Sequence, residues 1–533
     1  MGPDGALKSK FFSIFYPVIA ALGSGFLFVF SFPDLNQAWL AWVALVPLLL
    51  AVLNRKPIYA FILSYLSGVV SFGFTFSWMF EVEGYKFLHH AILHLYLGCY
   101  VGLFGLAFGF LGKRLGPTIA LTAAPFIWIS LEFTRSNMGF ISYPTTLLAH
   151  SQYAYTPIIQ TASIAGTYGI SFLIMLVNSS LALAIMPVVY GKQKSGRRSH
   201  ETGSKRTRLS FITGTAVLLI IALVYGLLAT GGPIAGNRIK VSIVQGNIKQ
   251  RDKWDPQKAG YIMQTYNDLT RQVSSKEDPA LIIWPEAATP GLILKRLNLY
   301  DQVTRIVKNS GTHFLIGSSE FPKYVKKQNK ESKTGNTALF FSPEGKVLDQ
   351  YLKIRLLPFS EYLPLKEIMP WSYIQVPATG SHIQGEKFVQ FKGPDFRFSA
   401  TICWETIFPD LVRQFVKDGA QFIVNLTNEA WFGKTAAPYQ FLSISVFRAV
   451  ENRRFLIRCG NTGVSCFIDP CGRVVNRVKD ATGRDIFVRG VLTDTVVPMD
   501  SSTIYTRYGD WIVWLSFTAT ATFLIFALFR KKR

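Results

Sequence analysis

The chain has 533 residues, of which 49% are hydrophobic, 14% aromatic and only 17% charged. Soluble domains carry about 25% charge, and a mean hydropathy of +0.26 excludes a disordered chain. Five cysteines exclude a disulfide-built scaffold. The balance of 56 Lys and Arg against 32 Asp and Glu gives a formal net charge of +24. In a soluble protein that would point to nucleic acid; here the apolar content points to a membrane, whose flanks collect basic residues.

The first apolar run, Phe11 to Phe30, follows Lys8 and Lys10. It is too long for a signal peptide and no small-x-small cleavage pattern follows it, so it reads as a retained span. Further runs cover 37–53, 57–80, 91–111, 117–133, 157–190 and 209–231. From Pro233 to Tyr508 charges, turns and short alternating runs take over. A last apolar run, Trp511 to Phe529, ends in Arg530-Lys531-Lys532-Arg533. The expectation is eight spans in three segments: a membrane domain over 1–232 with seven, a polar domain over 233–508, and the last span with a basic tail over 509–533.

Charge orients these spans. Lys8/Lys10, Arg55/Lys56, Lys113/Arg114, the stretch Gly191 to Arg208 and the C-terminal tetrad all fall on one side if the spans alternate. Glu81-Val82-Glu83 lies on the other. Basic residues stay in the cytoplasm, so both termini are expected there and the polar insert on the far side. The stretch 191–208 lacks interleaved aromatics, which argues against a nucleic-acid partner. Glu132 and Arg135 read as residues at the membrane edge. His90 and His94, beside His89, have the i, i+4 spacing of a metal pair but no acidic or Cys partner nearby, and a span edge accounts for them better.

The polar insert alternates strand-like and helix-like runs. Strand patterns cover Ile239–Val244, Ala280–Trp284, Thr312–Ile316, Thr337–Phe341, Lys346–Leu352, Phe396–Ile402 and Gln421–Asn425. Helical patterns cover Tyr261–Val273, Leu299–Asn309, Phe408–Lys417 and 438–453. The order predicts a layered α/β sandwich. Gly433-Lys-Thr435 lacks the earlier glycine of a phosphate loop, since position 428 is Asn. Cys466 and Cys471 leave a disulfide open without a spacing that requires one.

In α/β folds functional groups gather beyond the carboxyl ends of strands, and three residues stand there. Glu286 follows the strand ending at Trp284, Lys353 follows Leu352, and Cys403 follows Ile402 before a helix expected to begin near Thr406. A helix N-terminus and a nearby Lys lower a thiol pKa, which would make Cys403 a thiolate nucleophile. Glu286 would be the base and Lys353 the cation facing an oxyanion. Each also has a plain reading: a solvated loop Glu, a solvated turn Lys, a small core Cys.

Taken together, Trp284-Pro-Glu286, Tyr351-Leu-Lys353 with Pro358-Phe-Ser-Glu361-Tyr-Leu-Pro364, and Cys403-Trp-Glu405 resemble the Glu–Lys–Cys signature of the nitrilase superfamily. Gln245-Gly-Asn-Ile248, Lys253-Trp-Asp-Pro256, Asn428-Glu-Ala-Trp-Phe-Gly433, Arg448-Ala-Val-Glu-Asn-Arg453, Asn461-Thr-Gly463 and Thr506-Arg-Tyr-Gly-Asp510 resemble the apolipoprotein N-acyltransferase family. So do Trp39-Leu-Ala-Trp-Val-Ala-Leu-Val-Pro47 and Leu131-Glu-Phe-Thr-Arg135. Two positions depart from the family pattern: Trp404 stands where many members have Tyr, and Ser360 where Gly is usual.

The resemblance implies a polytopic α-helical bundle carrying an αββα nitrilase-like sandwich. It implies transfer of an acyl chain from a phospholipid, such as phosphatidylethanolamine, to the α-amino group of a diacylglyceryl apolipoprotein through a thioester on Cys403. Lys353 would hold the oxyanion and Glu286 would take the proton, with Glu361 and Glu405 in support. Trp254, Trp404, Trp431 and Phe432 would line the route of the lipid substrates or anchor the membrane interface. No cofactor or metal is implied. A monomer in a bacterial inner membrane, with its catalytic domain periplasmic, is expected. The alternatives are a membrane-tethered amidase of the same superfamily, using water as acceptor, and a non-enzymatic lipoprotein-binding or transport protein.

Overall fold

The computed structural model describes residues 3–190, 205–321, 334–369, 371 and 382–530, with the side chains of 3–14 and 190 left aside. The basic clusters expected at Lys8/Lys10, over most of 191–208 and at 531–533 lie outside the described residues. The chain divides into two compact units. One comprises 1–80, 86–230 and 510–533; the other comprises 81–85 and 231–509.

The first unit is helical. Its helices are α1 (Pro3–Phe30), α2 (Val46–Val52), α3 (Pro57–Thr75), α4 (Phe87–Leu115), α5 (Pro117–Ser136), α6 (Thr156–Ile159), α7 (Ala162–Tyr190) and α8 (Lys205–Thr230), joined by the chain's last helix, Trp511–Phe529. Among the described residues six helices are long and apolar enough to cross a membrane: Pro57–Thr75, Phe87–Leu115, Pro117–Ser136, Ala162–Val189, Lys205–Thr230 and Trp511–Phe529. Phe15–Phe30 and Ala38–Val52 are shorter apolar helical stretches. The run expected to span at 37–53 is a 3-10 turn, Ala38–Trp42, followed by α2 with a proline in its first turn. Pro47 lacks the N–H an uninterrupted helix needs and suits a helix start instead. The run at 157–190 is likewise divided into α6 and α7, and Gly166 inside α7 takes a left-handed φ of 67°.

Lipid offers no hydrophobic drive for helix pairing, so close backbone approach between small residues holds such bundles together. Gly98, Gly102, Gly105 and Gly109 line α4 at that spacing. A Cβ on Gly105 would lie 2.2 Å from Ser64 Oγ and 2.4 Å from the Ala60 carbonyl of α3. Glu132 and Arg135, expected at an exposed edge, are buried in the last turns of α5. Arg135 donates to the carbonyls of Tyr143 and Thr145, both at 3.0 Å, and Glu132 accepts from Leu148 N at 2.8 Å. His90 and His94 pack ring to ring, and His90 Nε2 sits 3.1 Å from the Gly73 carbonyl.

The second unit contains β1 (Ile239–Gln245), α9 (Ala259–Ser274), β2 (Leu281–Trp284), α10 (Leu297–Ser310), β3 (His313–Glu320), β4 (Gly335–Phe341), β5 (Val347–Leu352), β6 (Phe391–Lys392), β7 (Arg397–Ile402), α11 (Pro409–Lys417), β8 (Phe422–Thr427), α12 (Ala437–Asn452), β9 (Phe455–Gly460), β10 (Cys466–Ile468), β11 (Val474–Arg477), β12 (Gly490–Val496) and α13 (Ile504–Tyr508). They form two six-stranded sheets, in the orders β12-β1-β2-β3-β4-β5 and β11-β10-β9-β8-β7-β6. The central strands β1–β2–β3 and β7–β8–β9 run parallel.

Parallel strands covered on both faces read as unbroken apolar runs, as β2 does; β8, β9 and the antiparallel β4 are also buried throughout. The two faces of β4 show the layering. Leu339 and Phe341 join the core that α9 and α10 build with Ile262, Tyr266, Val303 and Val307. Phe340, with the opposite parity, meets Phe391 and Phe398 of the other sheet at 5.5 Å. On the far side α12 is buried almost along its whole length, and its Ser445 accepts from Arg458 of β9. Layers therefore run helix, sheet, sheet, helix. No disulfide joins Cys466 and Cys471.

Candidate active site

The parallel strands β2 and β7 and the edge strand β5 end at one place in this second unit, and each delivers one polar residue just past its last member. Cys403 opens a 3-10 turn, Cys403–Ile407, with a left-handed φ of 55°. A non-glycine residue in that region is strained, and such strain persists where the surroundings hold it. Asn425 Nδ2 holds the Cys403 carbonyl at 3.1 Å. Glu405 braces the same turn by accepting from Ile402 N at 2.7 Å. The α-helix that follows starts at Pro409, not near Thr406, so the cysteine stands in the 3-10 turn ahead of it.

Lys353 is 1% exposed, and its Nζ lies 2.8 Å from Glu361 Oε1. Glu361 also accepts from Leu357 N at 2.7 Å, which folds the loop after β5 back on the lysine. The buried carboxylate of Glu405 ties that loop to the cysteine turn. It accepts the Tyr351 hydroxyl at 2.8 Å and 2.9 Å and the backbone N–H groups of Ile354 at 2.7 Å and Arg355 at 2.9 Å.

Glu286 is buried after β2, and Asn336 Nδ2 donates to its Oε1 at 2.5 Å. The same amide nitrogen reaches Glu361 Oε1 at 3.4 Å. The two carboxylates are thus linked through one amide, while Lys353 pairs with the second. The buried Lys253 donates from Nζ to the Glu286 carbonyl at 2.9 Å.

Electrostatics link these groups. Burial pushes the Cys403 thiol up to about 12, Glu286 adds to that, and Lys353 opposes it. A water-poor site disfavours the expected resting thiolate, and the helix meant to help offset this begins only at Pro409. Burial raises the Glu286 carboxyl above the usual range, against the pull of Lys353. Burial alone would depress Lys353, but Glu361, Cys403 and Glu286 outweigh it and hold the ammonium charged. Burial would likewise raise Glu361, but Lys353 holds it low. The site thus sets a thiol whose proton burial favours beside a carboxyl of raised proton affinity and a lysine held charged. General-base attack on an acyl carbonyl needs that combination.

Sequence reasoning named Glu286, Lys353, Cys403, Glu361 and Glu405, and the structure gathers all five. It does not bring the four aromatics into that cluster in one way. Trp404 is half-buried and donates from Nε1 to the Arg355 carbonyl at 2.6 Å. Phe432 stacks on Phe441 at 5.6 Å. Trp254 and Trp431 are exposed. Asn336, Asn425, Tyr351 and Lys253 were missed.

Two family models match the chain: the apolipoprotein N-acyltransferase N-terminal domain over residues 24–180 and carbon-nitrogen hydrolase over 240–496. A curated apolipoprotein N-acyltransferase from Geobacter metallireducens is 31% identical, with 96% of this chain and 95% of the relative covered. The chain belongs to the apolipoprotein N-acyltransferase family. A second relative of that name, from Chlorobaculum tepidum, is 29% identical over 100% of this chain and 99% of its own. Among solved structures, an amidase of the nitrilase superfamily from Nesterenkonia AN1 is similar at 18% identity and a TM-score of 0.38, covering 54% of this chain and 100% of its own. This N-acyltransferase family member is thus an acyltransferase on a carbon-nitrogen hydrolase domain, joined to apolar helices suited to a membrane.

Proposed function

We propose that the chain transfers an acyl group from a phospholipid to the N-terminal amine of a diacylglyceryl apolipoprotein, in two steps through Cys403. In the first, the Cys403 thiol attacks the ester carbonyl as Glu286 takes its proton. Lys353 donates to the oxyanion. The ester C–O bond breaks, Glu286 returns the proton to the departing lysophospholipid oxygen, and a thioester remains on Cys403. In the second, the apolipoprotein amine attacks the thioester as Glu286 accepts its proton, and the amide forms as the Cys403 thiol leaves. A covalent intermediate divides one hard step into two easier ones.

The observation that carries this reading is half-buried Cys403 set with buried Glu286 and Lys353, each altering the proton affinity of the others, inside a chain that matches its relatives along almost its full length. Glu361 orients Lys353, and Glu405 fixes the Lys353 loop against the Cys403 turn. Trp254, Trp404, Trp431 and Phe432 act as apolar guides for the acyl chains. Two substrates that never leave the bilayer give the membrane helices their purpose, and exclusion of water favours aminolysis over hydrolysis.

The same proposal takes the expected eight crossings, with the two shorter apolar stretches completing the six long helices, and the division 1–232, 233–508 and 509–533. It takes both termini as cytoplasmic, the catalytic domain as periplasmic in a bacterial inner membrane, and the working form as a monomer. Steady-state transfer from phosphatidylethanolamine to a diacylated lipopeptide tests the two-step scheme. Parallel double-reciprocal lines are expected when both substrates are varied. Converging lines would mean a ternary complex and no free acyl-enzyme.

A further inference from the structure

The loop between β1 and α9 is held far more firmly than a connector needs. Asn461 binds it from both sides, its Oδ1 accepting from Ile248 N at 2.9 Å and its Nδ2 donating to the Ile248 carbonyl at 2.7 Å. Asn247 N donates to the Asn461 carbonyl at 2.9 Å. Asn461 Nδ2 also reaches Asn428 Oδ1 at 2.9 Å, and Asn428 Nδ2 reaches Gln250 Oε1 at 2.7 Å. Two asparagines from the second sheet's loops thereby clamp a loop of the first sheet, and the charged side chain that this loop buries is Lys253.

Lys253 is 2% exposed, and the one hydrogen bond it makes among the described residues is to a main-chain carbonyl, that of Glu286. A buried ammonium without a carboxylate bound to it is costly, so its retention asks for a reason. Charge supplies one. Lys353 is already paired with Glu361, which leaves Glu286 as a second buried carboxylate needing a cation. The groups that face Lys253 are Glu286 and Cys403. Behind Glu286 stand Lys353 and Glu361. The third buried carboxylate, Glu405, is held instead by the Tyr351 hydroxyl and by the backbone N–H groups of Ile354, Arg355 and Ile402, so Lys253 and Lys353 are the two cations left to act on Glu286 and Glu361.

We propose that Lys253 is a positioning residue for acyl transfer, fixing the Glu286 main chain and supplying the second positive charge that lets Glu286 stay ionised as the base while a thiolate forms on Cys403. This rests on the two-step reading above. It also gives the Gly-Asn-Ile, Asn428 and Asn461 motifs one shared task, that of delivering a single ammonium. Burial draws Lys253 down to about 8, with Glu286 and Cys403 opposing, so the amine loses its charge near the upper end of a working pH range.

The test is the single-turnover rate of thioester formation on the full-length protein with phosphatidylethanolamine, followed by intact mass from pH 5.5 to 9.5. Using one donor for all variants cancels the headgroup's own titration. Lys253→Met removes the cation, so Glu286 holds its proton to higher pH. The acid limb of the profile should move up and the rate near pH 7.5 should fall by roughly tenfold or more. Lys253→Arg keeps the charge at all these pH values, so its alkaline limb should move outward by about one unit or more. Only the limb position is read for Lys253→Arg, so a lower rate from its bulk does not obscure the result, and it decides the matter if Lys253→Met fails to fold. Wild-type limbs in Lys253→Met, or an unmoved alkaline limb in Lys253→Arg, would overturn the proposal. A wild-type protein that forms no thioester at all would overturn the two-step reading instead.

Discussion

Both units bury a glutamate near a cation, and they use them differently. In the helical unit Arg135 donates to the Tyr143 and Thr145 carbonyls and Glu132 accepts from Leu148 N, so the two side chains fasten a loop to the end of α5. In the α/β unit Lys353, Glu361 and Glu286 are bound to side chains, directly or through Asn336. There each group's protonation answers to its neighbours. A buried charge tied to backbone is a fastener. A buried charge tied to other titratable groups, with a thiol among them, is chemical machinery.

Substitutions test that division. The largest effect belongs to the reacting groups: Cys403→Ala should abolish transfer, and Glu286→Gln should slow thioester formation by roughly 10³-fold, both with melting temperatures close to wild type. Arg135→Met should do the reverse. It removes the guanidinium that holds the Tyr143 and Thr145 carbonyls, at about 1–3 kcal/mol each, so the melting temperature should drop while thioester formation per folded molecule stays near wild type. A collapse of the chemical rate in that variant would break the comparison.

The Lys353–Glu361 pair has a pH signature. Lys353 depresses the Glu361 carboxyl below its ordinary value of 4.5. Stability from that pairing is present above the ordinary range and is lost as pH falls through the depressed value. Glu361→Gln should therefore flatten the fall of melting temperature below about pH 4.5, and a curve that overlays wild type would deny the pair that role. The smallest effect is expected for Trp404→Phe. It removes one hydrogen bond to Arg355, about 1 kcal/mol, and thermal melts should register it while turnover changes little.

Much of this could be read in the sequence, for physical reasons. Strands β1 to β5, β7 and β8 announce themselves because runs such as Leu281–Trp284 are apolar on both faces and end at turns. β9 to β12 were missed. β9 carries Arg458, which is fully buried and donates to the Val464 carbonyl and Asn425 Oδ1. A charged residue inside a central strand looks like an exposed position until its partners are seen. β12 is only partly buried along most of its length. The triad was legible because each member follows a strand directly. Lys253 was not, because its meaning depends on Glu286, 33 residues further on. The burial and the Glu286 charge that oppose a resting thiolate on Cys403 likewise come from the fold. Glu132 and Arg135 looked marginal because sequence shows a helix end but not the loop packed over it.

One measurement addresses the central claim directly. Purified full-length protein is incubated with phosphatidylethanolamine, wild type beside Cys403→Ala, and its intact mass is recorded before and after a diacylated lipopeptide is added. The account predicts a mass gain of one acyl group in the wild type alone, discharged by the lipopeptide with formation of the N-acylated product. No gain in folded wild-type protein, or a gain that water discharges as fast as the lipopeptide does, would contradict it.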